Sequence, residues 1–314
     1  VFIKDLSSLQ DNRMKKLLLF AFGLLLLLPA KAQQDPMFSQ YLYNMLAINP
    51  AYAGSRGQLS SALFYRNQWT GFDGAPVTVN GSVHAPFRRT NGSWGINMFN
   101  DRIGVQSQNS INMNYAYRII GAKGTLSMGL SAGVYQFSYD YNKLGDAFID
   151  PLLQGSESYN LFNAGFGAYY QSSRMAIGVS VPHVLNGQVV GQGAYRKVNP
   201  SNHVFLTGSY LFVLADDYRF KPSAMVKLVR NAPVQMDLNA TIIYKNKLHL
   251  GVSYRTINEV SIMSQIQVNK NWWIGYAYDI PFGVVSDVST GSHELFIGFE
   301  ISFDKSKILS PRYF

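Results

Sequence analysis

The sequence has no cysteine in 314 residues, few charges and only one long apolar run. Without cysteine no disulfide can staple the fold, no lipid can be attached through a lipobox thiol, and the commonest structural zinc sites are excluded. Charged residues make up 14% of the chain, against roughly 25% in an ordinary soluble domain. A conventional water-facing surface is therefore short of material. The apolar run lies near the start, in "MKKLLLFAFGLLLLLPAKAQ" (14–33). No other stretch approaches the ~18 apolar residues that mark a transmembrane helix, which excludes a helical membrane bundle. Basic side chains are not concentrated either. Residues 1–32 carry five of them and two acidic ones, so the remainder keeps +6 of the formal +9. That excess is scattered, with no run of five or six as in a nucleic-acid-binding arm, and no nucleic-acid partner is expected.

Aromatics are abundant at 14%, with 20 Tyr and 20 Phe, and there are 27 glycines. Many aromatics and glycines with few charges suit a transmembrane β-barrel. The early run reads as a signal peptide over 14–32. Lys15 and Lys16 form its basic region, Leu17 to Leu28 its apolar one, and Ala30-Lys31-Ala32 a cleavage site that places the cut before Gln33. Residues 1–13 read as an artefact of an upstream start. The expected localisation is the bacterial outer membrane.

From Gln58 onward the period is two. "VQMDLNATIIYK" sets Val234, Met236, Leu238, Ala240, Ile242 and Tyr244 against Gln235, Asp237, Asn239 and Thr241; "KLHLGVSYR" and "HELFIGFEISF" alternate likewise. Successive side chains of a strand point to opposite faces, so each strand has one greasy and one polar face. Fourteen such stretches centre on Ala62, Asn80, Asn97, Tyr115, Leu130, Phe166, Gly178, Gly208, Met225, Asn239, Val252, Gln265, Tyr276 and Phe299. Most are about 10–13 residues, the length of a tilted membrane-crossing strand. The expected fold is all-β: a single 14-stranded transmembrane antiparallel β-barrel over 58–304, with a C-terminal tail over 305–314. Closure is required because an open edge in lipid leaves backbone groups unpaired. Short turns at Lys245–Lys247, Ile257–Glu259 and Ala215–Asp217 are expected at the periplasmic rim, and the long loops Asn142–Asn160 and Asn186–Asn202 outside. Tyr65, Trp69, Tyr139, Tyr141, Tyr218, Trp272, Trp273 and Tyr278 gather at strand ends, as an aromatic girdle would. A soluble β-sandwich would instead turn the greasy faces inward between two sheets.

Residues 33–57 do not alternate. "QQDPMFSQYLYNMLAINPAYAG" has a helical reading over Phe38 to Leu46 and stops at Asn49-Pro50. Its apolar groups need cover, so the segment is expected to plug the lumen or dock at the periplasmic rim. Asp237, Arg255 and Glu300 fall on polar faces and predict a lumen network that holds it. In-strand glycines (Gly165, Gly167, Gly178, Gly251, Gly275, Gly298) predict bends or close approach of the plug. The five histidines show no metal-ligand spacing, and Gly187, Gly191 and Gly193 read as a surface loop rather than a phosphate loop. No enzymatic activity, cofactor or metal is expected.

The opening motif resembles that of the PorP/SprF family of type IX secretion outer-membrane proteins. It is carried by Asp35, Pro36, Phe38, Ser39, Gln40, Tyr41, Asn49, Pro50, Ala51 and Gly54, with a second block at Arg66, Gln68 and Trp69 and a terminal "SPRYF". The resemblance implies a barrel similar in architecture to long-chain fatty-acid transporters. It also implies a role beside other type IX secretion and gliding components, and a partner: a large secreted adhesin with a C-terminal sorting domain, which the barrel helps to export or hold at the surface. Outer-membrane lipid would surround it. The alternative is a porin or transporter for small solutes, and the polar inward series argues against greasy cargo. A third reading is a structural barrel that anchors periplasmic proteins.

Overall fold

The computed structural model describes residues 37–144, 155–185, 189–190, 197–198, 202–230, 232–256 and 259–302. The signal peptide, Asp35, Pro36, the loop glycines 187, 191 and 193, and the tail over 305–314 lie outside the described residues. Among those described, fourteen strands form the barrel. They are β1 (Leu59–Asn67), β2 (Val77–Pro86), β3 (Gly92–Ile103), β4 (Gln106–Ile120), β5 (Thr125–Asp140), β6 (Ser156–Gln171), β7 (Met175–Val181), β8 (His203–Tyr210), β9 (Tyr218–Val229), β10 (Gln235–Tyr244), β11 (Leu248–Arg255), β12 (Glu259–Gln267), β13 (Trp272–Pro281) and β14 (Ser292–Ile301). Each pairs antiparallel with its neighbours in the chain, and β1 pairs with β14 from Leu59↔Ile301 to Asn67↔His293. The meander thus closes without an edge. Each of the fourteen predicted centres falls inside its strand.

The alternation sorts side chains as expected. On β10 and β11, Gln235, Asp237, Asn239, Thr241, His249, Ser253 and Arg255 are buried, while Met236, Leu238, Ile242, Leu250, Val252 and Tyr254 are exposed. Greasy side chains therefore face outward and do not meet between two sheets, which excludes the sandwich. On β4 the outward series Ile111, Met113, Tyr115, Tyr117, Ile119 is exposed throughout. Its eight-residue step spans ~27 Å along the strand at ~3.4 Å per residue. At the usual ~40° tilt that projects to about 21 Å, close to the ~25 Å apolar band of outer-membrane barrels.

Three expectations are corrected. Of the predicted girdle, Tyr65, Tyr218 and Trp272 face out, but Tyr139, Tyr141 and Trp273 are buried. Trp272 and Trp273 are successive residues of one strand, so only one could meet lipid. Trp273 stacks edge-on against His249 inside the lumen. β11 ends and β12 begins at the rim opposite Lys245–Lys247 and Ala215–Asp217, so the two strand ends that flank residues 257 and 258 are not on the rim of those turns, and Glu259 itself pairs within the sheet, opposite Arg255 and Pro281. The long connection after β5 ends before Ser156, so Asn160 belongs to β6.

Candidate functional site: a leader threaded through the lumen

The segment from Met37 to Gly54 lies inside the barrel and supplies nearly half of its buried apolar core. Phe38, Tyr41, Leu42, Met45, Leu46, Tyr52 and Ala53 are buried and cluster with inward residues such as Phe64, Phe205, Met225 and Phe296. Of the two predicted placements, the lumen is the one adopted.

It is not one helix. Three 3₁₀ turns, Tyr41–Tyr43, Met45–Ala47 and Pro50–Tyr52, succeed one another. The breaks come where an asparagine commits its side chain elsewhere, the competition that makes Asn a poor helix-interior residue. Asn44 donates to Asn80 Oδ1 at 2.5 Å and accepts from Ser82 Oγ at 2.8 Å. Asn49 caps the third turn by accepting from Ala51 N–H at 2.9 Å and donates to Ala168 O at 3.1 Å. Pro50 at the first position of that turn lacks the N–H that would continue a helix.

The leader runs from one rim to the other. Ser39 and Gln40 lie level with Glu294, near the start of β14, whereas Gly54 sits at the opposite rim, beside Pro86 and Ser93 at the junction of β2 and β3. Gly54 has φ +70°, and a Cβ there would fall 2.3 Å from Ser93 Oγ; only glycine fits both the left-handed backbone and the space. Its N–H donates to His84 Nδ1 (3.0 Å), and its carbonyl accepts from Arg118 Nη1 (3.0 Å). At mid-height the wall is hollowed for the leader. A Cβ on Gly129 would lie 2.2 Å from Ala51 N, and one on Gly167 would lie 2.3 Å from Asn49 Oδ1. Gly167, Gly178 and Gly275 fulfil the predicted close approach; Gly129 does so without having been expected to.

The upper end is held by charge. Arg66 of β1 is 1% exposed and pairs with Asp279, with Glu294 (3.1 Å) and with Glu259 (3.5 Å). Arg255 of β11 binds both oxygens of Asp237 (3.0 and 3.1 Å) and pairs with Glu259. Glu294 also accepts the backbone N–H groups of Ser39 (2.8 Å) and Gln40 (2.9 Å), and Arg66 donates to Ser39 Oγ (2.9 Å). Phe38 O accepts weakly from Arg255 (3.5 Å). Four carboxylates thus share two guanidiniums, and N–H donors of the leader offset part of the excess negative charge. Arginine is suited to such a site because one planar guanidinium presents several N–H donors at fixed angles and so can hold more than one carboxylate at once. Lower down, Asn239 donates to the Tyr41 hydroxyl at 2.8 Å.

Of the three predicted network residues, Asp237 and Arg255 meet as a pair. Glu300 does not join them: it pairs with Arg56 at 2.8 Å near the other rim. Asp279, Glu294 and Glu259 were missed, although Glu294 shares the parity of Glu300 on one strand and could have been read from it. Gln68 and Trp69 stand apart from Arg66, in the rim loop between β1 and β2, where the Trp69 N–H donates to Ser292 Oγ at 3.1 Å. Among the described residues no group of His, Asp and Glu could hold a metal ion.

The leader separates two vestibules. One, of about 60 Å³, lies between it and β2–β5 toward the rim of the long loops. The other, of about 20 Å³, lies toward the short-turn rim and is lined by Arg56, Lys221, His249 and Glu300 among others. Tyr52 packs edge-on against both His84 and Tyr169, each at 5.4 Å.

A closed antiparallel barrel with a greasy outer belt and an occupied polar lumen defines an outer-membrane β-barrel protein. Known structures agree on the fold. The chain is similar to the CymD monoaromatic hydrocarbon channel (12% identity, 83% of this chain and 93% of that one, TM-score 0.52). It also matches the Acinetobacter baumannii outer-membrane protein Omp33 (8% identity, 79% and 100%, TM-score 0.47). No curated protein matches it. Residues 30–299 match the family model for the type IX secretion system membrane protein PorP/SprF, and the chain belongs to that family.

Proposed function

We propose that this barrel is a non-enzymatic partner of the type IX secretion and gliding machinery. It helps a large adhesin with a C-terminal sorting domain to reach, or stay attached to, the cell surface by protein–protein binding. The chain is exported with residues 14–32 removed before Gln33, and outer-membrane lipid surrounds its greasy belt. Family membership supports the setting. The observation that carries the reading is the occupied lumen: a leader tied to the wall from Ser39–Glu294 at one end to Gly54–Arg118 at the other leaves a scaffold rather than an open pore. A porin would need that leader displaced. Deleting the gene tests the reading. Surface display of one exported adhesin should fail while uptake of small solutes is unchanged; the opposite pattern would favour transport.

A further inference from the structure

Cations that are dispersed along the sequence gather in space at one end of the barrel. Five of the six connections at the short-turn rim carry an exposed basic side chain. They are Arg88 and Arg89 between β2 and β3, Lys123 between β4 and β5, Arg174 between β6 and β7, Lys245 and Lys247 between β10 and β11, and Lys270 between β12 and β13. The sixth, between β8 and β9, holds Asp216 and Asp217, and Asp217 lies 3.7 Å from Lys245. Among the described residues of that rim, seven exposed cations thus stand against two exposed carboxylates. At the opposite rim the described charges balance: Arg102 and Arg230 against Asp73 and Asp287, with Lys143 3.8 Å from Asp140. The cations also share a depth. Exposed apolar side chains end just before them, with Phe87 next to Arg88, Ile120 three residues before Lys123 and Val268 two before Lys270. At ~3.4 Å per residue each charge lies within about 10 Å of the last greasy group. The Lys245 ammonium sits 5.2 Å over the ring of Tyr244, an aromatic at the strand end where a membrane interface favours one.

From this ring we propose that the short-turn rim is a docking surface for anionic phospholipid headgroups of the leaflet at that end. A ring spread over turns from β2–β3 to β12–β13 matches an annulus of lipid. A protein partner would engage one sector and would give the remaining turns no reason to be basic. The level matches as well: headgroup phosphates begin where the greasy belt ends, so the cations reach them while both stay hydrated. Lys and Arg can lay their methylene stems along the belt and carry the charge to the interface. A zwitterionic headgroup offers its phosphate beside its own cation, so a net-negative one is preferred. Each near-surface cation favours an anionic over a neutral lipid by about five-fold. The consequence is a fixed depth in the membrane, because shifting the ring in either direction separates it from the phosphate layer.

The test places the full barrel in mixed phosphatidylcholine–phosphatidylglycerol bilayers and compares quenching of its tryptophan fluorescence by brominated forms of the two lipids. Trp272, exposed beside Lys270 at the same rim, is the reporter. Phosphatidylglycerol should be selected by about five-fold or more, and about 1 M salt should remove most of that selection. Substituting one cation in each of five turns, by Arg89→Gln, Lys123→Gln, Arg174→Gln, Lys247→Gln and Lys270→Gln, leaves Arg88 and Lys245 against Asp216 and Asp217, so the selection should fall to parity. Lys123→Gln with Lys270→Gln alone should lower it part-way, which keeps the test decisive if the fivefold variant misfolds. Arg102→Gln with Arg230→Gln at the opposite rim should leave it unchanged. Equal quenching by the two lipids in the native barrel, selection that survives the substitutions, or selection lost with the opposite-rim pair would overturn the proposal. So would salt-sensitive binding of polyglutamate without any lipid preference, which would assign the rim to an acidic protein.

Discussion

Replacing Arg66 by alanine tests the logic of the charged end most directly. In the native barrel Arg66 faces Asp279, Glu294 and Glu259, and Arg255 faces Asp237 and Glu259. Removing Arg66 leaves one guanidinium for four buried carboxylates and withdraws a donor from Ser39. Breaking a buried ion pair from one side costs about 3–5 kcal/mol, because the remaining charge keeps its desolvation penalty. The loss should fall mainly on the leader, since β1 keeps its backbone ladder to β2 and β14. Denaturant unfolding from lipid bilayers should therefore show a stability loss of about that size, and limited proteolysis should cut within Met37–Gly54 at a rate the native chain does not show. A double variant with Glu294→Gln should recover part of the loss, because one uncompensated charge disappears while an amide oxygen still accepts from Ser39 or Gln40; partners in one network are not additive. If Arg66→Ala unfolds with native stability and its leader stays protected, the charges are not what holds the leader, and the argument fails.

Other expectations follow from the same geometry. Deleting residues 37–54 should convert a barrel with negligible conductance in planar bilayers into a conducting one; an unchanged current would mean that the leader does not occlude the lumen. Gly129→Leu would force side-chain atoms into the backbone of Ala51, and overpacking of this kind costs about 1–3 kcal/mol, to be measured as a lower denaturation midpoint. Val252→Arg, on the exposed greasy series of β11, should destabilise the barrel by about 2–4 kcal/mol at mid-bilayer depth and far less when the unfolding reference is detergent.

The barrel was legible in the sequence because its signal is parity. A period of two assigns each residue of "VQMDLNATIIYK" to lipid or lumen without knowledge of its neighbours, and fourteen such segments sufficed for the count. What was not legible depends on depth along the strand or on position around the barrel, and parity carries neither. Asp237 and Glu300 have the same orientation, yet they sit near opposite rims. Trp273 and Tyr139 looked like girdle residues by position near strand ends, but parity, had it been applied to them, points both inward. The leader was misread as a helix over Phe38–Leu46 because its apolar spacing is compatible with one. Asn44 overrides that spacing by bonding across the lumen to Asn80, some 36 positions along the chain. Long-range amide partners of this sort leave no local trace.

The leader also resolves a difficulty intrinsic to this fold. A lipid-facing barrel turns its greasy side chains outward, so it lacks the central core that organises a soluble domain, and its inward polar groups must find partners or water. Here the leader does both tasks. Its Phe38, Tyr41, Leu42, Met45, Leu46 and Tyr52 form the apolar centre together with inward aromatics such as Phe64 and Phe296, while Ser39, Gln40, Asn44 and Asn49 satisfy wall carboxylates, amides and carbonyls. Apolar contact alone would hold such a short segment without fixing its register, because grease is tolerant of sliding. The paired N–H groups on Glu294, the Asn44–Asn80 bond and the hollow at Gly129 each admit one position along the lumen, and together they admit one register for the whole segment. A leader held in that way is a structural part of the barrel's interior, and any partner or ligand that entered the lumen would have to work around it or break specific, countable bonds.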